Sequence, residues 1–323
     1  MAEVRFGKAI NLALADALEH DPAVFLFGED IADAGGPFGA TRGLKDRFGD
    51  RVRDTPISEA SMANAAVGAA LSGLKPVLEI MFMDFMTLTM DALVNQAAKA
   101  RYMFGGQASV PMVVRTPHGG GISAGPQHSQ CLEAWFAHVP GLKVICPSNP
   151  ADAYGLLRAA IADPDPVVFV ENKTLYAMKG ELAENAGPVS IGKARTVRAG
   201  RDATVVAYGA AVHTVERAAG QLAEQGLEVE VLDLRSIQPW DETAVMESLT
   251  RTHRLLIVHE AVEAFGVGAE IAARIGEICF DELDAPIMRV ASPFVPVPFA
   301  PSLEKAYQPD AEAVIAAVRK LCA

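Results

Sequence analysis

A carboxylate stands at position 59, in Asp54-Thr55-Pro56-Ile57-Ser58-Glu59-Ala60, between an apolar strand candidate and a run of small residues. Residues 60–73 carry no charge. A carboxyl group set in such surroundings is desolvated and can hold or share a proton, which suits exchange with a ring nitrogen. Ser58 and Glu59 equally suit the first turn of a helix, where a hydroxyl caps and an acid faces the positive end, so this segment alone leaves a structural role open. His128 is the second candidate. It closes a loop containing Gly119, Gly120, Gly121 and Gly125, residues that let backbone approach a ligand or let a segment move. An imidazole there could transfer protons, although a loop histidine is as readily structural or solvated. The loop matches neither the P-loop nor the dinucleotide-binding pattern.

The elements that position these residues follow from periodicity. Short β-branched runs alternate with Ala-rich helical stretches, the pattern of parallel α/β units. Val24-Phe25-Leu26-Phe27, Val77-Leu78-Glu79-Ile80, Met112-Val113-Val114-Arg115, Lys143-Val144-Ile145-Cys146 and Val167-Val168-Phe169-Val170 form a first set of strands, with helices near 6–20, 61–73, 87–103 and 151–162. A second set comprises strands at 204–208, 229–234, 255–258 and 287–290, with helices near 212–225, 242–250 and 267–278. Between 171 and 200 the periodicity fades. The expected organisation is therefore a first domain over 1–180, a linker over 181–200 and a second domain over 201–323.

In open parallel sheets ligands sit beyond the carboxyl ends of the strands. Glu29, in Gly28-Glu29-Asp30, occupies such a place, either as an acidic turn or as part of a polar network under a ligand. Met81-Phe82-Met83-Asp84-Phe85 follows the second strand, and Phe85 could belong to the core or stack on a heterocycle.

Composition narrows the classes. The chain has 323 residues, half of them apolar, enough for a large core. A net charge of −12, from 28 basic and 40 acidic residues, with no basic cluster, argues against nucleic-acid and anionic-membrane surfaces. Cys131, Cys146, Cys279 and Cys322 are widely spaced, which fits reduced thiols rather than zinc ligands. The N-terminus leads into an amphipathic helix instead of a signal-peptide core, so a cytoplasmic protein is expected. The apolar stretch 76–94 is broken by Glu79, Asp84 and Asp91 and reads as buried strand and helix, not a membrane span.

Across nearly its whole length the chain resembles the β subunit of the thiamine-diphosphate-dependent E1 component of 2-oxo acid dehydrogenase complexes, including pyruvate and acetoin members. The likeness is carried by Phe27-Gly28-Glu29-Asp30, Asp54-Thr55-Pro56-Ile57-Ser58-Glu59, Asn95-Gln96-Ala97-Ala98-Lys99, Gln127-His128-Ser129-Gln130, Pro140-Gly141-Leu142-Lys143-Val144 and Asp163-Pro164-Asp165-Pro166-Val167. Leu232-Asp233-Leu234-Arg235-Ser236-Ile237-Gln238-Pro239-Trp240-Asp241 and Gly266-Val267-Gly268-Ala269-Glu270 continue it.

The resemblance implies two parallel-sheet α/β domains, a transketolase-like pyrimidine-binding domain and a transketolase-like C-terminal domain. It further implies an E1 α partner in an α2β2 heterotetramer and an E2 acyltransferase whose lipoyl group receives the acyl unit. By that likeness Glu59 meets N1′ of the aminopyrimidine, Phe85 packs on the ring, and Glu29, Ile57, Ser58 and Met81 line the pocket. His128 would serve proton transfer during reductive acylation of the lipoyl group. No Gly-Asp-Gly occurs in the chain. Magnesium and diphosphate ligands are accordingly expected from the α subunit. A potassium ion, held mainly by backbone carbonyls, maps to Met112, Ala160, Asp163 and Asp165.

Met81 and Gln127-His128-Ser129-Gln130-Cys131 point to a pyruvate-type substrate, whereas Arg101-Tyr102-Met103-Phe104-Gly105-Gly106 and Pro296-Val297-Pro298-Phe299 are similar to acetoin enzymes. A half of a split synthase and a non-catalytic scaffold are the rival readings. Glu260, Glu263, Asp281, Glu282 and Asp284 are expected either to be solvated or to dock a basic domain of E2.

Overall fold

Strands buried on both faces call for apolar sequence; Val24–Gly28 supplies it throughout, whereas Val113–His118 and Val167–Asn172 open on apolar residues and run into polar ones, with every residue of both strands buried. In the computed structural model, which describes residues 1–323, the chain divides into two compact units: Met1–His118 with Trp135–Ile191, and Gly119–Ala134 with Gly192–Ala323. Within the first unit, parallel strands run in the order Lys143–Ile145, Val167–Asn172, Val113–His118, Lys75–Glu79, Val24–Gly28 and Val52–Asp54. Helices Phe6–His20 and Pro150–Ala162 pack against each other. The second of these starts at a proline, and the Asn149 side chain accepts the Asp152 amide at 3.0 Å, a pairing that fixes the helix start.

The second unit orders Met288–Ser292, Leu255–Val262, Ala203–Ala207 and Val229–Asp233 as parallel strands, closed at one edge by antiparallel Arg195–Arg198. Helices Ala211–Ala223 and Ala311–Leu321 lie together over that sheet, and Val205, Val212, Val215, Val231, Val258 and Val318 form the core between them.

Three expectations change in detail. The helix expected near 87–103 is three consecutive pieces: a tight 3-10 segment Met83–Thr89, a π-helical segment Asp91–Ala97 and α-helix Ala98–Met103. The stretch expected as a linker over 181–200 begins inside strand Lys179–Leu182, which pairs antiparallel with Ala2–Arg5, and contains strand Arg195–Arg198. Its lack of periodicity reflects half-exposed edge strands rather than a free connector. The glycine-rich segment Gly119–Ala134, placed by number inside 1–180, belongs to the second unit. All four cysteines are free, and no helix is long and apolar enough to cross a membrane.

Candidate active site

Gly28 is in register with both Asp54 and Glu79, so the residues following these three strands emerge side by side at one edge of the first sheet. Those residues are Glu29, the segment 55–59, and 80–85. Gly28 permits the close approach, because a Cβ there would lie 2.7 Å from the Glu79 carbonyl oxygen. Asp54 fixes the next turn by accepting the Ala32 amide at 2.7 Å, and the Thr55 amide donates to the Gly28 carbonyl at 3.0 Å. Helix Glu59–Leu71 then begins, with Ser58 at its N-cap. The serine side chain makes no cap bond; its Oγ donates to Ser61 Oγ at 2.9 Å. Glu59 is therefore the first helical residue, and its carboxylate is buried.

Glu29 is buried too, and its Oε1 has no hydrogen-bond partner. Burial, followed by the charges of Glu59 and Asp30, raises the pKa of Glu29. Neither Glu29 nor Glu59 forms an ion pair. Two buried carboxylates that feel each other and lack a cation are matched by a ring that brings N–H donors or a shared proton. That donor set fits an aminopyrimidine. Phe85 and Met81 are half-buried and Ile57 is 80% exposed, so an apolar surface beside the acids is open to solvent. Helix Glu59–Leu71 packs on Met83–Thr89, which brings the Phe85 segment beside the helix that begins with Glu59. Phe85 meets Phe82 edge-to-face at 5.8 Å, Phe82 meets Phe38 the same way at 6.0 Å, and Phe38 stacks on Tyr176 at 4.6 Å.

Beneath these loops lies an ionic floor that sequence reasoning missed. Arg115 Nε and Nη2 donate to the two oxygens of Glu171 at 2.7 and 2.9 Å, and Nη1 donates to Glu79 at 2.6 Å. Tyr176 adds its hydroxyl to Glu171 at 2.5 Å. Burial opposes the charge on Arg115, but Glu171 and Glu79 outweigh it and hold the guanidinium protonated; burial raises Glu79 and, with Glu171, Tyr176. The available signal was charge inside apolar strands, since Glu79, Arg115 and Glu171 fall on three adjacent strands.

His128 belongs to the second unit and is half-buried. Its amide donates to the Gly125 carbonyl at 3.3 Å, closing a turn. The following helix, Glu133–Ala137, begins five residues later, so His128 lies in the loop and not in the first turn of that helix. The four residues assigned to potassium lie at the opposite, amino-terminal edge of the first sheet from Glu59. There the Met112 carbonyl accepts the Val167 amide at 3.0 Å and the Ala160 carbonyl accepts the Asp163 amide at 3.3 Å. Lys143 binds the Asp163 carboxylate at 2.6 and 2.7 Å, and Arg101 binds Asp165 at 2.5 Å. Those carboxylates are neutralised by protein cations and do not fit as free metal ligands, which leaves backbone carbonyls to hold an ion.

Residues 2–179 match the transketolase pyrimidine-binding domain, and residues 192–314 match the transketolase C-terminal domain. A split-gene transketolase, described as an inactive β4 tetramer, superposes with a TM-score of 0.81 at 21% identity, covering 98% of this chain and 97% of the other, and shares the fold. The chain is thus a two-domain protein of the transketolase type. It is also 47% identical over 331 residues to the β subunit of acetoin:2,6-dichlorophenolindophenol oxidoreductase of Bacillus subtilis, covering 98% of this chain and 97% of that protein. Against the mitochondrial pyruvate dehydrogenase E1 β subunit of Drosophila melanogaster it is 46% identical over 319 residues, covering 97% and 87%. The chain belongs to the E1 β-subunit family of 2-oxo acid and acetoin dehydrogenases, and is an oxidoreductase subunit.

Proposed function

We propose that this chain is the β half of a pyruvate-type E1 that cleaves a small 2-oxo acid and passes the acetyl unit to the lipoyl group of an E2 acyltransferase, in the cytoplasm. The observation that carries the reading is the pair Glu29 and Glu59, buried at adjoining strand ends with no cation between them. When bound, thiamine diphosphate supplies a nucleophilic ring carbon and an electron sink for the pair of electrons left when the carbon–carbon bond breaks. Glu59 holds a proton against the pyrimidine ring nitrogen, and Glu29 faces the same ring from the neighbouring strand end. Phe85, Met81 and Ile57 cover its apolar faces and keep water from them, while Ser58 shapes the turn. His128 donates to the sulfur set free when the lipoyl disulfide opens. An α subunit, in an α2β2 assembly, completes the site with magnesium and the diphosphate cradle, consistent with the lack of Gly-Asp-Gly. Potassium on the carbonyls of Met112, Ala160, Asp163 and Asp165 rests on the family resemblance alone.

A second reading, acetoin cleavage with the same acyl transfer, is favoured by an acetoin relative at 47% identity beside a pyruvate one at 46%. The test is dye reduction by this chain co-expressed with its α subunit, offered pyruvate, acetoin or a branched 2-oxo acid. Pyruvate preference is expected, acetoin preference would select the second reading, and Glu59→Gln should abolish thiamine C2 proton exchange in an intact assembly. Retained exchange would remove Glu59 from this role.

A further inference from the structure

The glycine-rich loop before His128 is gripped mainly by a distant segment, residues 299–308, with Glu260 beside it. Glu304, only 4% exposed, accepts the Gly121 amide at 2.8 Å, the Ser123 amide at 2.9 Å and the Ser123 hydroxyl at 3.2 Å. These partners are 181 to 183 positions away in sequence. Ser123 has φ +56°, a left-handed conformation that costs a side-chain-bearing residue energy, and Glu304 holds both of its donors there. Glu260 accepts the Gly120 backbone amide at 3.2 Å and the Gln308 side-chain Nε2 at 3.0 Å. The Phe299 ring fills the space of a side chain at Gly125, where an added Cβ would come within 2.2 Å of it. At the end of helix Pro301–Tyr307, the Tyr307 hydroxyl is pushed up to about 12 by burial and by Cys131, the residue three beyond His128.

A buried carboxylate that takes three donors from one loop is a strong restraint, because charge-assisted bonds are stronger than neutral ones and an abandoned buried acceptor is costly. From this we infer that Glu304, supported by Phe299, is a positioning residue: it locks the 119–125 loop and so sets where His128 presents its imidazole for lipoyl acylation. The inference rests on the role proposed above for His128. Glu304 also separates two duties in the chain, since the loop it holds lies in the second unit while Glu29 and Glu59 lie in the first.

The experiment uses the complete αβ assembly with wild type, Glu304→Gln, Glu304→Asp and His128→Gln. Acylation of a lipoyl domain is compared with dye reduction, and amide exchange at Gly121 and Ser123 is followed by hydrogen–deuterium exchange. Glu304→Gln should lower kcat for acylation by roughly 10–100-fold, the cost of misplacing a reacting group by about 1 Å, with dye reduction kept within about twofold and faster exchange at both amides; Glu304→Asp should recover part of the loss. A purely structural role would depress both activities together and would overturn the inference, as would unchanged exchange at the two amides. If His128→Gln loses acylation while Glu304→Gln keeps it, the positioning role alone fails. Should His128→Gln keep acylation, the role of His128 fails first and takes the positioning role with it.

Discussion

Glu29 and Glu59 repel each other across a buried gap, and the cost of that arrangement is measurable without any substrate. The folded pKa of Glu29 is raised above its ordinary 4.5, first by burial and then by Glu59 and Asp30. Its contribution to stability is fully present below that ordinary value and is lost as pH rises through the folded one. Glu29→Gln cannot ionise, so the assembly without cofactor should melt a few degrees higher than wild type at about pH 8 and almost level with it at about pH 5. Calorimetric melting at both pH values checks this, and an equal gap at each would dismiss the electrostatic account. Glu29 and Glu59 were legible in sequence because each is a charge at the end of an apolar run. Glu304 was not, since its partners lie far away in the chain and its own neighbours, Leu303 and Lys305, look like an ordinary surface helix. The bonds of Glu260 were hidden for the same reason. Expected either to be solvated or to dock a basic domain, it accepts from Gly120 and Gln308, whereas Glu263 and Asp284 pair with Arg289 and Arg254 at the surface.

At the scale of elements, alternation of apolar runs gave most of the strands and helices, because strands buried on two faces leave little room for polar residues. It failed where a helix changes pitch over 83–103, since a π segment shifts the spacing on which the pattern depends. Edge strands Ala2–Arg5 and Arg195–Arg198 escaped because half-exposed strands lack a clean period. The ionic floor also belongs to this scale: Glu79, Arg115 and Glu171 tie three adjacent strands together. Removing Arg115 alone strands two buried carboxylates, a loss of about 3–5 kcal/mol by comparison with other broken buried pairs. Arg115→Met should therefore lower the melting temperature by on the order of 10 °C. Adding Glu79→Gln and Glu171→Gln to it should recover much of that loss. If the triple variant melts no higher than Arg115→Met, the floor stabilises by packing rather than by charge balance.

For the molecule as a whole, the surface carries more large apolar groups than a lone chain has use for. Tyr102, Met103 and Phe104 are consecutive and 89%, 73% and 58% exposed, at the end of helix Ala98–Met103, where Gly105 and Gly106 turn the chain at positive φ. Contiguous exposed aromatics of this kind mark protein–protein contacts, and aromatic anchors dominate their energetics. A chain whose relatives are named β subunits has an evident claim on such a surface, and the α subunit is the partner it implies. Because Tyr102 is 89% exposed, Tyr102→Asp should leave the melting temperature of the isolated β chain unchanged. The same substitution should weaken αβ assembly at least tenfold, with dye reduction recovering as the α subunit is raised in concentration. Sedimentation of α and β mixtures reads the assembly directly. Full assembly of the variant at the lowest concentrations at which wild type assembles would show that this face turns away from the partner, and would leave Ile57 and the aromatic residues of the second unit as the surfaces to test next.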